Sequence, residues 1–220
     1  MRLLGLAARA AVALALVAGC SHPTAPSSAR LKTASSNVGA KDVWHLVDDA
    51  RGRLDPVERT DGDAVAEEMT AILAHRDRAQ IVAFAQPLSD LLDRSYRVDL
   101  WAAAYLINGG ASDDGFDYFR GWLISQGQTV YDEALADPDS LAKRPAVIAA
   151  CGEGDVLEAE SILDVASEAH VKATGEDLPA DAVTDRQPEL DIDFDFEDHA
   201  EMQRRLPRLT ALCYPGSAET

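Results

Sequence analysis

Between Tyr96 and Gly127 two apolar segments meet at Gly109-Gly110, and this stretch constrains the fold more than any other. Leu100, Ala103, Ala104 and Ile107 share one helical face, while Trp101 and Tyr105 form a neighbouring stripe at i, i+4. Nearly every position from Leu100 to Ile107 is apolar, and a helix apolar all round belongs inside a core. Asp99 is expected as its N-cap. Asn108-Gly109-Gly110 ends it with residues that tolerate a positive φ. Ser112 or Asp113 then caps a second helix with Phe116, Phe119 and Leu123 on its apolar face. The pair reads as an αα-hairpin at the centre of the chain.

The second helix places Asp113, Asp117 and Arg120 along one flank, beside Phe116 rather than opposite it. A guanidinium next to a buried face needs a carboxylate, because an unpaired buried charge is costly. Asp117, three residues earlier, is the expected partner. Gly121 stands mid-helix, where it costs about 1 kcal/mol against Ala; close approach of another backbone, or of a ligand, would compensate. Two readings follow. Either Asp117 and Arg120 form a structural ion pair over a packing glycine, or Trp101, Asp113, Asp117, Arg120 and Trp122 line a pocket for an anionic ligand.

The rest of the chain shows helical periodicity, apart from the alternating stretch Asp191-Ile192-Asp193-Phe194-Asp195-Phe196, which suits an extended segment but cannot build a sheet alone. Asp42 to Arg51, a stretch opened by Gly62-Asp63 with Val65, Met69, Ile72 and Leu73, and Ile81 to Leu92 each carry one apolar face. Pro87 is expected to break or kink the last of these. Val130, Ala134 and Leu135 mark a short helix, and Asp137-Pro138 starts another. Asp155 with Glu158 has capping-box spacing for a helix running from Val156 to Ala169. Residues 175–188 read as a loop, and Met202 to Leu212 as helical turns restarted at Pro207. With no βαβ alternation and no repeat, the fold class is all-α: a compact multi-helix domain built around the central hairpin.

The segment WAAAYLINGGASDDGFDYFRGWLISQG, followed by YDEALADPDSLA, resembles the bacterial family known as domain of unknown function 4240. The resemblance runs from about Trp44 to Leu212 and takes in FDFEDHAEMQRRLPRL near the end. It implies no activity and no catalytic residues, since the family has none established. Members often have Cys where Ala111 stands and Trp where this chain has Phe194 and Phe196, so a thiol mechanism at residue 111 is not available here.

At the N-terminus, Arg2 and Arg9 precede an unbroken apolar run from Ala10 to Val17 and then Ala18-Gly19-Cys20. This is the layout of a secretory signal, and the run is too short to span a bilayer. Val17-Ala18-Gly19-Cys20 looks like a bacterial lipobox, which implies lipidation of Cys20 and cleavage before it. The expected organisation is a signal peptide over 1–19, a Ser- and Pro-rich tether over 20–40, and a single helical domain over 41–215. The alternative is a spurious signal on a cytosolic domain. Cys151 and Cys213 would be the remaining thiols, free to pair in an oxidising compartment or to stay separate.

Twenty Lys and Arg against 38 Asp and Glu give a net charge of −18, which disfavours nucleic acid and anionic lipid as partners. Asp191, Asp193 and Asp195 have the opening spacing of a calcium loop, but Phe196 replaces its glycine and Met202 its final glutamate. His22, His45, His75, His170 and His199 are scattered, so no metal and no cofactor is expected. Ser112-Asp113-Asp114 is better explained by capping than by nucleophilic chemistry. The reading is therefore a lipid-anchored envelope protein with an interaction or accessory domain, its membrane contact made through Cys20. The alternative is an enzyme or small-ligand binder with a pocket beside Arg120.

Overall fold

The structure is a computed structural model that describes residues 38–184 and 186–215. The expected signal over 1–19, the expected lipidation site Cys20 and nearly all of the expected tether lie outside the described residues. No strand occurs among the described residues, and no helix there is long and apolar enough to cross a membrane.

Helix α1 (Ala40–Arg53) buries Val43, Trp44, Leu46, Val47 and Ala50. Helix α2 (Gly62–Leu73) is capped by Asp61, whose carboxylate accepts from the backbone of Asp63 and Ala64. Helix α3 (Arg78–Ser95) continues through Pro87 instead of breaking there. The proline is only half-buried, and the stripe on both sides of it, Ile81 and Phe84 before and Leu88 and Leu91 after, enters one core. That shared burial outweighs the one lost hydrogen bond.

Helices α4 (Val98–Asn108) and α5 (Asp113–Ser125) form the central hairpin. Gly109 closes α4 at φ 68°, a left-handed conformation that suits glycine. The expected cap is corrected: Arg97 holds the N-cap position and Asp99 lies in the first turn, its carboxylate 2.8 Å from the Arg97 guanidinium. Ser112 caps α5 by accepting from Gly115 N–H at 3.1 Å. Helix α5 packs against α2, α3, α4 and the following helix α6 (Gln128–Ala136), so the hairpin is central.

Beyond α6, Asp137-Pro138 starts a helical turn as expected, though of 3-10 type, and the chain departs from its expected course further on. Pro138–Lys143 forms a 3-10 turn after Asp137, and helix α7 (Pro145–Glu153) follows. Residues 155–159, expected to begin a helix, are not helical; a 3-10 turn at Glu160–Ile162 precedes helix α8 (Val165–Thr174). Tertiary contacts hold this segment extended. Leu157 N–H donates to Asn108 Oδ1 at 3.0 Å, and Ala159 N–H donates to the Tyr118 carbonyl at 2.9 Å.

Ala159 is keyed between two helical glycines. A Cβ added to Gly62 would stand 2.4 Å from Ala159 Cβ, and one added to Gly121 would stand 2.3 Å from the Ala159 carbonyl oxygen. Gly121 is therefore matched by close approach of another backbone.

The C-terminal segment ends in α9 (His199–Arg205) and α10 (Pro207–Cys213). Asp198 caps α9 through Ala200 and Glu201 N–H. Asp139, 3% exposed, caps α10 from the distant 3-10 turn, accepting from Arg208 and Leu209 N–H at 3.1 and 2.8 Å. Cys151 and Cys213 form a disulfide joining α7 to α10.

Candidate functional site

The residues singled out in the hairpin do not meet at one place: Asp113 stands alone, and the other four fall into three places. Asp117 and Arg120 lie together, as their spacing requires, and their side chains are ion-paired. Arg120 is 4% exposed and donates through Nη1 to the Leu92 carbonyl at 2.6 Å. Its guanidinium lies 4.8 Å from the centre of the Tyr96 ring and 5.1 Å from that of Phe116, within cation–π range. A carboxylate, a carbonyl and two aromatic rings thus surround the charge and shield it from water. Asp113 stands apart at the exposed first turn of α5, where the helix dipole favours it.

Trp101 belongs to a second place. Its ring stacks on Phe116 at 4.9 Å, and its indole N–H donates to the Ala111 carbonyl at 3.0 Å. Its outer edge borders a groove of about 330 Å³ shared with Tyr105, Phe194 and Phe196. Phe196 lies 6.2 Å from Trp101 and 5.7 Å from Tyr105 between ring centres, so the acidic C-terminal segment docks through its aromatic side chains. Asp195 and Glu197 supply the carboxylates of this groove. Partial burial, and after it Glu197, hold the Tyr105 phenol above its ordinary pKa. Arg205 clips the segment to α9, 3.9 Å over the Phe194 ring and ion-paired with Asp193 and Glu201.

Trp122 belongs to the third place. Its ring lies 5.4 Å from Phe119, and its indole N–H donates to the Thr60 carbonyl at 3.3 Å. It borders a cavity of about 190 Å³ whose cations are Arg51 and Arg144. Arg51 Nη1 donates to the carbonyls of Arg59 and Ser125 at 2.7 and 2.8 Å. Arg144 Nη2 meets Glu133 at 2.6 Å, while its Nε is buried with no hydrogen-bond partner among the described residues. Val130, Pro145 and Ala146 form the apolar wall. The hairpin spacing pointed to Trp122 but could not point to Arg51 or Arg144, which arrive from α1 and the start of α7.

A wider hollow, about 600 Å³, lies between α2, α8 and the 3-10 turn at Glu160–Ile162 and is edged by Asp61, Asp63, Glu67, Glu160, Asp164 and Glu168. Part of this acidity serves structure, since Asp61 caps α2 and Asp63 accepts from Ser161 N–H at 3.2 Å. No group of His, Cys, Asp and Glu that could hold a metal ion occurs among the described residues. His170 is fully buried, its Nδ1 2.8 Å from the Glu176 carbonyl.

A family model described as "Protein of unknown function (DUF4240)" matches residues 39–172. The match covers more than half of the chain and all of the central hairpin, and it stops short of the acidic–aromatic segment. No curated protein and no solved structure matches the chain.

Proposed function

The chain belongs to the family of unknown function DUF4240, and from that premise we propose that it is a lipid-anchored protein of the cell envelope whose helical domain serves as an interaction or accessory module. The anchor would be Cys20, following the expected signal over 1–19, and the tether over 20–40 would hold the domain away from the bilayer.

The observation that carries this reading is the Cys151–Cys213 disulfide. Disulfides persist in oxidising compartments and are rare in the cytosol, so the pairing supports export on grounds independent of the N-terminal pattern. The enclosure of Arg120 supports an accessory role over turnover of an anionic substrate at that place. An anion-binding arginine must present its fork of donors to an open site, and here two rings, a carbonyl and Asp117 cover it.

Mass spectrometry of the membrane fraction tests the proposal. The expected species begins at an acylated Cys20, and Cys20→Ala should release the protein from the membrane fraction. A diacylglyceryl group with a further N-acyl chain anchors stably, at about 0.8 kcal/mol per buried CH₂. A soluble chain beginning at Met1, with Cys151 and Cys213 reduced in the cell, would instead establish the cytosolic alternative.

A further inference from the structure

We propose that the cavity beside Trp122 binds a small organic carboxylate, held by Arg51 and Arg144 with its apolar body against Val130, Pro145 and Ala146. This goes beyond the envelope reading and does not depend on it.

The charge at the cavity has little internal compensation. Arg51 makes no ion pair among the described residues, and its hydrogen bonds go to two backbone carbonyls through one nitrogen, Nη1. Arg59 lies close by and also makes no ion pair there, its Nε donating to the Leu54 carbonyl at 2.9 Å. Burial is the largest influence on the Arg51 guanidinium and depresses its pKa, with repulsion from Arg59 next and attraction to Asp48 opposing. Leaving a half-desolvated cation beside a like charge is costly in a chain with 38 acidic residues from which to draw a partner. On the other side, Glu133 is shared between Lys143 and Arg144, and Arg144 Nε has no acceptor among the described residues. Helix α7, nine residues long, also begins at this wall and turns its positive end toward it. An oxyanion in the cavity would give the Arg51 guanidinium the counter-charge it lacks, beside that of Arg144.

The ligand class follows from size and from the second wall. About 190 Å³ is the liquid volume of roughly six waters, so the occupant has only a few heavy atoms. Val130, Pro145, Ala146 and the Trp122 ring make the remainder apolar. A bare phosphate would meet the guanidinium groups and leave that wall against water. A carboxylate with a short branched body satisfies both, and guanidinium forks match carboxylate geometry.

The test titrates the intact chain with isobutyrate, isobutanol and inorganic phosphate, following the Trp122 indole resonance and the melting temperature. Isobutyrate should shift the resonance saturably and raise the melting temperature; isobutanol, which has the same branched body and no charge, should do neither. Ala146→Leu fills the cavity and leaves both arginines in place, and it should weaken isobutyrate binding by about tenfold or more. Arg144→Gln should weaken it in the same direction without closing the cavity. The proposal is overturned if isobutyrate has no effect, if isobutanol binds equally well, or if phosphate binds more tightly than isobutyrate. It is also overturned if a folded Ala146→Leu protein binds isobutyrate unchanged. The comparison of isobutyrate with isobutanol needs no variant, so a failure of either substitution to fold leaves the test decisive.

Discussion

Gly121→Ala isolates the contact that diverts residues 155–163 from the helix their sequence suggests. Two effects oppose each other. In a helix interior Ala is preferred over Gly by about 1 kcal/mol, so the substitution should stabilise α5 if nothing stood nearby. Something does. The new Cβ would lie 2.3 Å from the Ala159 carbonyl oxygen and 3.1 Å from Leu163 Cδ1, against an ordinary contact of about 3.5 Å. Ala159 cannot retreat toward α2, because its own Cβ already occupies the space where a Gly62 Cβ would be, 2.4 Å away. Nor can it slide freely, since Ala159 N–H is bonded to Tyr118 and Leu157 is bonded on both sides to Asn108.

Relief therefore requires α5 and this segment to part by about 1 Å, at the overpacking cost of about 1–3 kcal/mol and sometimes more. Loss of the Ala159–Tyr118 hydrogen bond adds about 1 kcal/mol. Set against the propensity gain, the expected net loss is about 1–3 kcal/mol, or roughly 2–12 °C in melting temperature for a domain of this size. Denaturant melts followed by tryptophan fluorescence measure it, and Gly52→Ala is the control. A Cβ at Gly52 meets nothing within 4 Å, so that variant should be neutral or more stable by up to about 1 kcal/mol. If Gly121→Ala melts within about 0.5 kcal/mol of the parent, Ala159 is not held between the two helices and the account of this segment fails.

Three other measurements bear on the same packing. Arg120→Ala should cost about 3 kcal/mol, at the low end for a broken buried pair because Asp117 keeps access to water; Arg120→Met combined with Asp117→Asn should recover part of this, and an unchanged melt would refute the sealed-pair reading. The Tyr131 phenol is fully buried, donates to the Leu91 carbonyl at 2.5 Å, and has its pKa pushed up to about 12 by that burial. Its contribution is thus fully present below about pH 10 and falls between pH 10 and 12, by about 2–3 kcal/mol at the limit, because there the unfolded phenol ionises first; in alkaline melts Tyr131→Phe should flatten that fall, and an identical slope would contradict it. Replacing Cys151 and Cys213 by Ser opens a loop closed across 62 residues and should cost about 4 kcal/mol in non-reducing melts, while a loss under about 1 kcal/mol would argue that the bond adds little to the fold.

What the sequence made visible was local. The hairpin could be read because its signals lie within a few residues of what they determine: Gly109 at φ 68° closes α4, Ser112 caps α5, and Asp117 meets Arg120 one turn away. Asp155 with Glu158 misled because capping-box spacing carries no information about what approaches from elsewhere. Asn108, Tyr118 and the two glycines claim the backbone of residues 157–159 from 38 to 97 positions earlier. Pro87 does not break α3, since its cost is local and the burial that outweighs it is tertiary. The cap supplied to α10 by Asp139 spans about seventy positions and was likewise invisible in local spacing. The same holds for the cavity beside Trp122, whose arginines come from opposite ends of the described helices that border it.

The region matched by the family model ends at residue 172, yet the core does not end there. Met202, Leu206 and Leu209 are buried with the residues of the hairpin, and α10 packs on α4 and α7. Arg208 closes on Asp137 and Asp139, the disulfide ties α10 to α7, and Phe196 lays its ring beside Trp101 and Tyr105. Removing the C-terminal segment would uncover the apolar face of α4 and strand the Asp139 carboxylate, buried at 3% exposure, without its donors. A buried carboxylate without partners costs several kcal/mol, so the segment is a structural part of the domain. The Trp101 groove, formed between α4 and that segment, is then a property of the whole described chain, and no fragment confined to the matched residues would carry it.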